Sequence, residues 1–284
     1  MREIATTIKQ YAALIKSLQT ALLLITGLAG YMSARCPVTH WTTVAGLLGS
    51  LFLAVSGSTI LNMWYDRDID SVMNRTHHRP IASGKVRPAH AFRIGLLFAA
   101  AGVGWAIALD PLYGLIVFAG LFFDVVVYTL WLKRRTCWSV VWGGISGGMP
   151  ILAGRVLGLG YLDLIGALLA VSVLFWIPTH MLTFSLRYAA DYAAARIPTF
   201  PSTYGATVTR RAIAAASVLA ALAIGLAAVL IQVRWGYLQV LGVLSGALMF
   251  LAFWVALRPA DRLNFSLFKY ASFYMLSAML LLSL

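Results

Sequence analysis

Apolar stretches of about 20 residues recur along the whole chain, separated by short polar breaks. Nine are legible, at about 14–34, 41–63, 89–109, 112–131, 138–157, 161–184, 211–232, 236–257 and 265–284, each near the length that crosses a hydrocarbon core. The pattern predicts an all-α, polytopic membrane protein with about nine transmembrane helices, and a single domain over residues 1–284. Composition agrees: 61% of residues are hydrophobic, 11% are charged and mean hydropathy is +0.85, which excludes an ordinary soluble domain. The N-terminus is polar for about ten residues and no small-residue cleavage site follows a short apolar core, so the first crossing is expected to be retained.

Charge orients the helices. With the N-terminus inside, the cytoplasmic side collects 19 of the 22 basic residues, and Arg35, Arg155 and Arg234 remain outside. This bias predicts a cell-membrane protein whose N-terminus and two long connections, 64–88 and 185–210, face the cytoplasm as a cap, with the C-terminus opposite. Each connection opens on a helix end carrying Asp and Arg and contains prolines beside small polar residues, a weak internal duplication. The net charge of +13 is read as the same inside bias. No soluble segment carries a basic face with interleaved aromatics, so no nucleic-acid partner is expected. Cys36 and Cys137 fall on opposite sides, and no disulfide is expected.

The chain has only nine acidic residues, and three of them arrive together in Asn62-Met-Trp-Tyr-Asp66-Arg-Asp68-Ile-Asp70. Asn62, Asp66 and Asp70 are four residues apart and share one helical face, while Asp68 points away. The competing reading is ordinary juxtamembrane charge paired with nearby Arg, which suits Asp68. At the membrane edge, however, ionisable groups are costly and usually functional. Clustered hard oxygen ligands suit Mg2+, whose remaining ligands are commonly phosphate oxygens. A lipid diphosphate is the substrate this suggests.

Other residues are open to two readings each. His180, Arg187 and Asp191 also share a face, but spacing alone allows an interfacial histidine. Lys133-Arg134-Arg135 is either a positive-inside anchor or a cation set for diphosphate, with Lys133 and Arg134 preferred. Asp124 lies inside an apolar segment, where it is either a site carboxylate or hydrogen-bonded to Tyr128 or a neighbouring helix. Arg155 is expected to snorkel. Gly143, Gly144, Gly147, Gly148 and Gly154 read as helix-packing positions or as room for a bulky ligand. His77 and His78 read as loop residues.

These motifs resemble those of the UbiA superfamily of intramembrane prenyltransferases. Asn62-x-x-x-Asp66-x-x-x-Asp70 is similar to its first motif. Tyr65–Asp70, Met73-x-Arg75-Thr76-x-x-Arg79-Pro80, Tyr128-Thr129-x-x-Leu132-Lys133-Arg134-Arg135-Thr136, Pro178-x-His180, Asp191-Tyr192 and Ile197-Pro198-x-x-Pro201 look like the protohaem IX farnesyltransferase branch, the haem O synthases. The likeness spans most of residues 10–210. Departures are Ser139 for Asn, Ile151 for Pro, Arg196 for Gly, Lys16-Ser17-Leu18 for Lys-Pro-Arg, and Asp124 for an uncharged residue.

The resemblance implies a ring of helices about a central cavity, with the two Asp motifs facing each other. It implies Mg2+ held by Asn62, Asp66, Asp70 and Asp191, and a prenyl diphosphate bound through Arg67, Arg75, Lys133, Arg134 and Arg187. It also implies His180 near the acceptor, and protohaem IX as that acceptor. Three alternatives stay open: a relative acting on an aromatic quinone precursor or a glycerol-phosphate lipid, a transporter, and a non-catalytic haem binder.

Overall fold

The computed structural model describes residues 10–35 and 40–283. Cys36, Arg2, Lys9 and the last residue of the expected ninth span lie outside the described residues. All regular structure among the described residues is helical: α1 (Ser17–Ser33), α2 (Trp41–Tyr65), α3 (Arg67–Val72), α4 (Pro88–Leu109), α5 (Pro111–Leu121), a π-helical segment (Phe122–Leu132), α6 (Ser139–Leu159), α7 (Leu164–Arg187), α8 (Ala189–Ala194), α9 (Phe200–Leu230), α10 (Trp235–Leu257) and α11 (Asp261–Ser283). Taking α5 and the π segment as one helix, eight are long and apolar enough to cross a membrane. Helix α1 is a shorter apolar ninth, of 17 residues.

Local chemistry sets the boundaries. Proline begins α4 and α5, where its missing N–H costs no helical bond. The Tyr113 backbone N–H donates to the Asp110 carboxylate at 2.7 Å, and the Gly166 N–H donates to Asp163 at 2.9 Å, so each Asp caps a helix. Thr199 and Ser202 form a reciprocal capping box, so α9 starts well before the expected position 211. Gly205, at φ 81 and ψ 164, then breaks that helix, a conformation open to glycine.

Close backbone approaches knit the bundle. A Cβ on Gly154 would strike the backbone of Gly27, and one on Gly30 would strike that of Ile151, so α1 and α6 pack without side chains between them. Arg155 does not snorkel. It is 5% exposed, and its Nε and Nη2 donate to Asp163 at 2.7–3.0 Å. Its Nη1 donates to the carbonyl and hydroxyl of Ser33. The partner that makes burial tolerable is the carboxylate that also caps α7, eight residues on.

Helix directions alternate, so both long connections leave the same end of the bundle. They are not simple loops, since α3 lies in one and α8 in the other. They meet through a small apolar cluster of Ile69, Met73 and Ile197.

Candidate active site

A cavity of about 510 Å³ opens between the helices beneath these connections. Its mouth carries Asp66, Asp70, Arg75, Arg79, Lys16 and Lys133, and its deeper wall carries Ser58, Asn62, Asp124, Tyr128, Trp176, His180 and Phe184.

The Asn62, Asp66, Asp70 face survives a break in the helix. Helix α2 ends at Tyr65 and α3 starts at Arg67, with Asp66 as the joint. The Asp66 N–H still donates to the Asn62 carbonyl at 2.9 Å, and the Asp70 N–H to the Asp66 carbonyl at 2.8 Å. This i→i+4 continuity keeps all three side chains on the cavity.

Each carboxylate already has a cation. Lys133 is ion-paired to Asp66, and Arg79 holds both oxygens of Asp70 at 2.7–2.8 Å. Asp66 and Asp70 are buried, at 3% and 4% exposed. Burial pushes the Asp66 carboxyl up, against the pull of Lys133. Burial alone would lower Lys133, but Tyr128 and Asp66 carry it up, so it stays a cation. Lys16 stands at the mouth in a left-handed backbone, φ 48, and its side chain does not cap α1. Burial, with Arg79 and Lys133 close by, pulls its ammonium down to about 8.

Deeper in, Asn62 is gripped by the π segment. Its Nδ2 donates to Asp124 Oδ2 at 2.9 Å, and its Oδ1 accepts from Thr129 Oγ1 at 2.7 Å. Ser58 donates to the same Asp124 oxygen at 2.5 Å. Of the two partners expected for Asp124, the structure therefore gives the neighbouring helix, not Tyr128. His180 stacks on Trp176 at 5.3 Å and meets Phe184 and Phe268 at 4.8 and 5.2 Å.

The remaining expected residues lie off the cavity. Asp191 accepts from the Asn74 side chain and from the Arg75 backbone N–H, joining the two connections. Arg67 stacks on Trp64. Arg134 is paired with Asp68, as expected for Asp68, and lies over Tyr65. Arg187 lies over Phe265. Gly143, Gly144 and Gly147 line the cavity, but a Cβ on them would strike Tyr128, Leu174 and Ile177, and one on Gly148 would meet the Ala170 carbonyl at 2.6 Å, so all four are close-packing positions. His77 is an exposed loop residue bonded to Asn74. Lys16 and Arg79 stand in strings compared with the family but were not among the expected site residues, because single basic residues beside a membrane helix look alike.

Among the described residues, no three His, Cys, Asp or Glu side chains converge as a metal cage. Among the described residues, three that line the cavity nonetheless hold buried polar atoms with no hydrogen-bond partner: Asp66 Oδ1, which has only the Arg134 guanidinium 3.8 Å away, Arg75 Nε and His180 Nδ1. Orphaned polar atoms around one cavity are the mark of a site that takes a polar ligand.

Comparison with known proteins agrees. Residues 23–277 match the UbiA prenyltransferase family. The protoheme IX farnesyltransferase of Archaeoglobus fulgidus is 42% identical over 198 residues, 70% of this chain and 69% of that one. The protoheme IX farnesyltransferase of Desulforudis audaxviator is 35% identical over 284 residues, 98% of this chain and 88% of that one. The fold matches a solved digeranylgeranylglyceryl phosphate synthase with a TM-score of 0.81 at 17% identity, covering 97% of each chain. It also matches a UbiA homologue from Archaeoglobus fulgidus bound to GPP and Mg2+, with a TM-score of 0.70 at 14% identity, covering 97% of this chain and all of that one. With a helical membrane bundle, a polar-mouthed cavity and this extent of likeness, the chain belongs to the UbiA prenyltransferase family of integral membrane enzymes.

Proposed function

We propose that the enzyme transfers a farnesyl or longer prenyl group from its diphosphate to a vinyl group of protohaem IX, giving a hydroxyalkyl haem of the haem O type. The observation that carries this reading is the 35–42% identity to relatives named protoheme IX farnesyltransferase. The wall of Trp176, His180 and Phe184 supports it, since a flat macrocycle needs aromatic and apolar faces.

A divalent cation fits the mouth. Asn62, Asp66 and Asp70 offer hard oxygens on one face, and Asp66 Oδ1 makes no hydrogen bond, with only the Arg134 guanidinium 3.8 Å away. Mg2+ is commonly held by one or two carboxylates with substrate phosphates completing its shell, so the lack of an all-protein cage does not count against it. When bound, the ion would help to neutralise the departing diphosphate. Ligation by Asp191 as well would require it to exchange the Arg75 N–H for the ion.

Arg75 and Lys133, joined by Lys16 and Arg79, are assigned to the phosphate oxygens. Arg67, Arg134 and Arg187 form an outer ring that holds the aromatic rim of the connections. The allylic C–O bond breaks and its electron pair leaves with the diphosphate. The terminal vinyl carbon then bonds to prenyl C1, and the cation left on the inner vinyl carbon takes up water and loses a proton. His180, with its ring nitrogen free, is assigned to the acceptor side. We place the mouth on the cytoplasmic face of the cell membrane, following the 19-to-3 charge bias.

The test is expression in cells that make protohaem, with mass spectrometry of extracted haem. A haem heavier by one prenyl group and one hydroxyl group is expected. Unmodified haem, alongside prenylated 4-hydroxybenzoate or glycerol lipid, would overturn the acceptor.

A further inference from the structure

The cavity contains one carboxylate that the proposed reaction does not use. Asp124 sits in the π segment, opposite α2, and both of its side-chain neighbours donate to a single oxygen, Oδ2: Ser58 at 2.5 Å and Asn62 at 2.9 Å. Two donors on one oxygen make it an acceptor. A carboxamide facing such an acceptor can present only its nitrogen. Thr129 closes the other side. Its hydroxyl reaches Asn62 Oδ1 at 2.7 Å and the Asp124 backbone carbonyl at 2.9 Å. In a π-helix the i→i+5 register brings residues five apart together, so Asp124 and Thr129 face Asn62 from one side.

We propose that Asp124 is a positioning residue for the metal site. It holds the Asn62 amide nitrogen, which fixes the amide oxygen at the opposite corner. There the oxygen accepts from Thr129 and keeps a second lone pair for the divalent cation or for a water bound to it. Without Asp124 the amide can turn over and offer its NH2 group to the cation. The inference rests on the assignment of Asn62 as a metal ligand.

The full-length protein is purified, and Mn2+ binding is followed by electron paramagnetic resonance in the presence of farnesyl S-thiolodiphosphate, an unreactive diphosphate. Asp124→Ala and the near-isosteric Asp124→Leu, neither of which leaves an acceptor for the Asn62 amide, are each expected to weaken Mn2+ binding roughly tenfold, as loss of outer-shell partners typically does. Asp124→Glu is expected to recover part of the loss, and Asn62→Ala to weaken binding at least as much as Asp124→Ala. The decisive variant is Asp124→Ala combined with Asn62→Ala, which should bind no worse than Asn62→Ala alone, because Asp124 acts through Asn62. Should the alanine variant not fold, Asp124→Leu carries the comparison. Wild-type affinity in Asp124→Leu, or additive losses in the double variant, overturns the inference alone. Wild-type affinity in Asn62→Ala overturns the ligand assignment itself.

Discussion

The Asp191 carboxylate accepts the backbone N–H of Arg75 at 3.1 Å, so one long connection holds the other by a residue 116 positions away. That bond fixes the backbone from which Arg75 and Arg79 reach the cavity. Asp191→Ala is therefore expected to speed hydrogen exchange at the amides of residues 74–79. It should also lower turnover by about 10²-fold, which corresponds to losing a charge-assisted hydrogen bond. Unchanged exchange would show that the connection is held by other contacts.

Asp66 and Asp70 are the most exacting positions of the mouth. Asp66→Ala or Asp70→Ala should remove a hard-cation ligand, cost activity by about 10² or more, and leave membrane insertion intact. Steady-state assays with and without chelator check both halves. Full activity in excess chelator would rule out a divalent cation.

Lys16 predicts a pH limit. Its ammonium is held near 8, so the free enzyme loses this cation as pH rises through 8, and diphosphate affinity falls with it. The alkaline limb of kcat/KM should therefore lie near pH 8. Lys16→Arg should abolish it, because guanidinium stays charged. Lys16→Met should raise KM for the diphosphate even at pH 7. A limb that persists in Lys16→Arg belongs to another group.

Arg155 and Asp163 predict a separate effect on stability. Removing Arg155, as in Arg155→Met, leaves a partly desolvated carboxylate without its cation and is expected to cost about 1–3 kcal/mol. The carboxylate of Asp163 is partly desolvated, but its bonds to Arg155 and to the Gly166 N–H hold it below its ordinary range. Its contribution is therefore present above about pH 4 and is lost as pH falls through the lowered value. Thermal melts of wild type and Arg155→Met from pH 3 to 7 should converge at the acid end.

Orientation is checked by thiol labelling. Cysteines placed at Ser83 and Thr203, in a background free of Cys36 and Cys137, should both label from the cytoplasmic side. Labelling from opposite sides would separate the two connections and dismantle the proposed site.

How much of this could be read in the chain depends on distance along it. Asn62, Asp66 and Asp70 were legible because four-residue spacing is a property of one helix, and the hydrogen bonds across Asp66 preserve it. The helices were legible because spans write themselves in hydropathy. The π segment was not, since an i→i+5 helix and an α-helix have the same apolar composition. Nor was the pairing of Asn62 with Asp124 or of Asp66 with Lys133, since each joins residues more than sixty positions apart. Arg79 and Lys16 lay within strings that resemble the family, but no role was assigned to either, since the positive-inside bias supplies charge everywhere on that face.

The ion pairs of Asp66 with Lys133 and of Asp70 with Arg79 neutralise both carboxylates of the mouth. Bare carboxylates at the hydrocarbon edge would be costly, and here none has to be endured between turnovers. The same pairing disfavours a lone metal ion, which would evict two cations and leave them without anions. A metal–diphosphate complex brings replacements for both, so loading becomes an exchange of partners with little change in local charge. The site is in this sense an ion exchanger, selective for cargo that arrives with its own counter-charge.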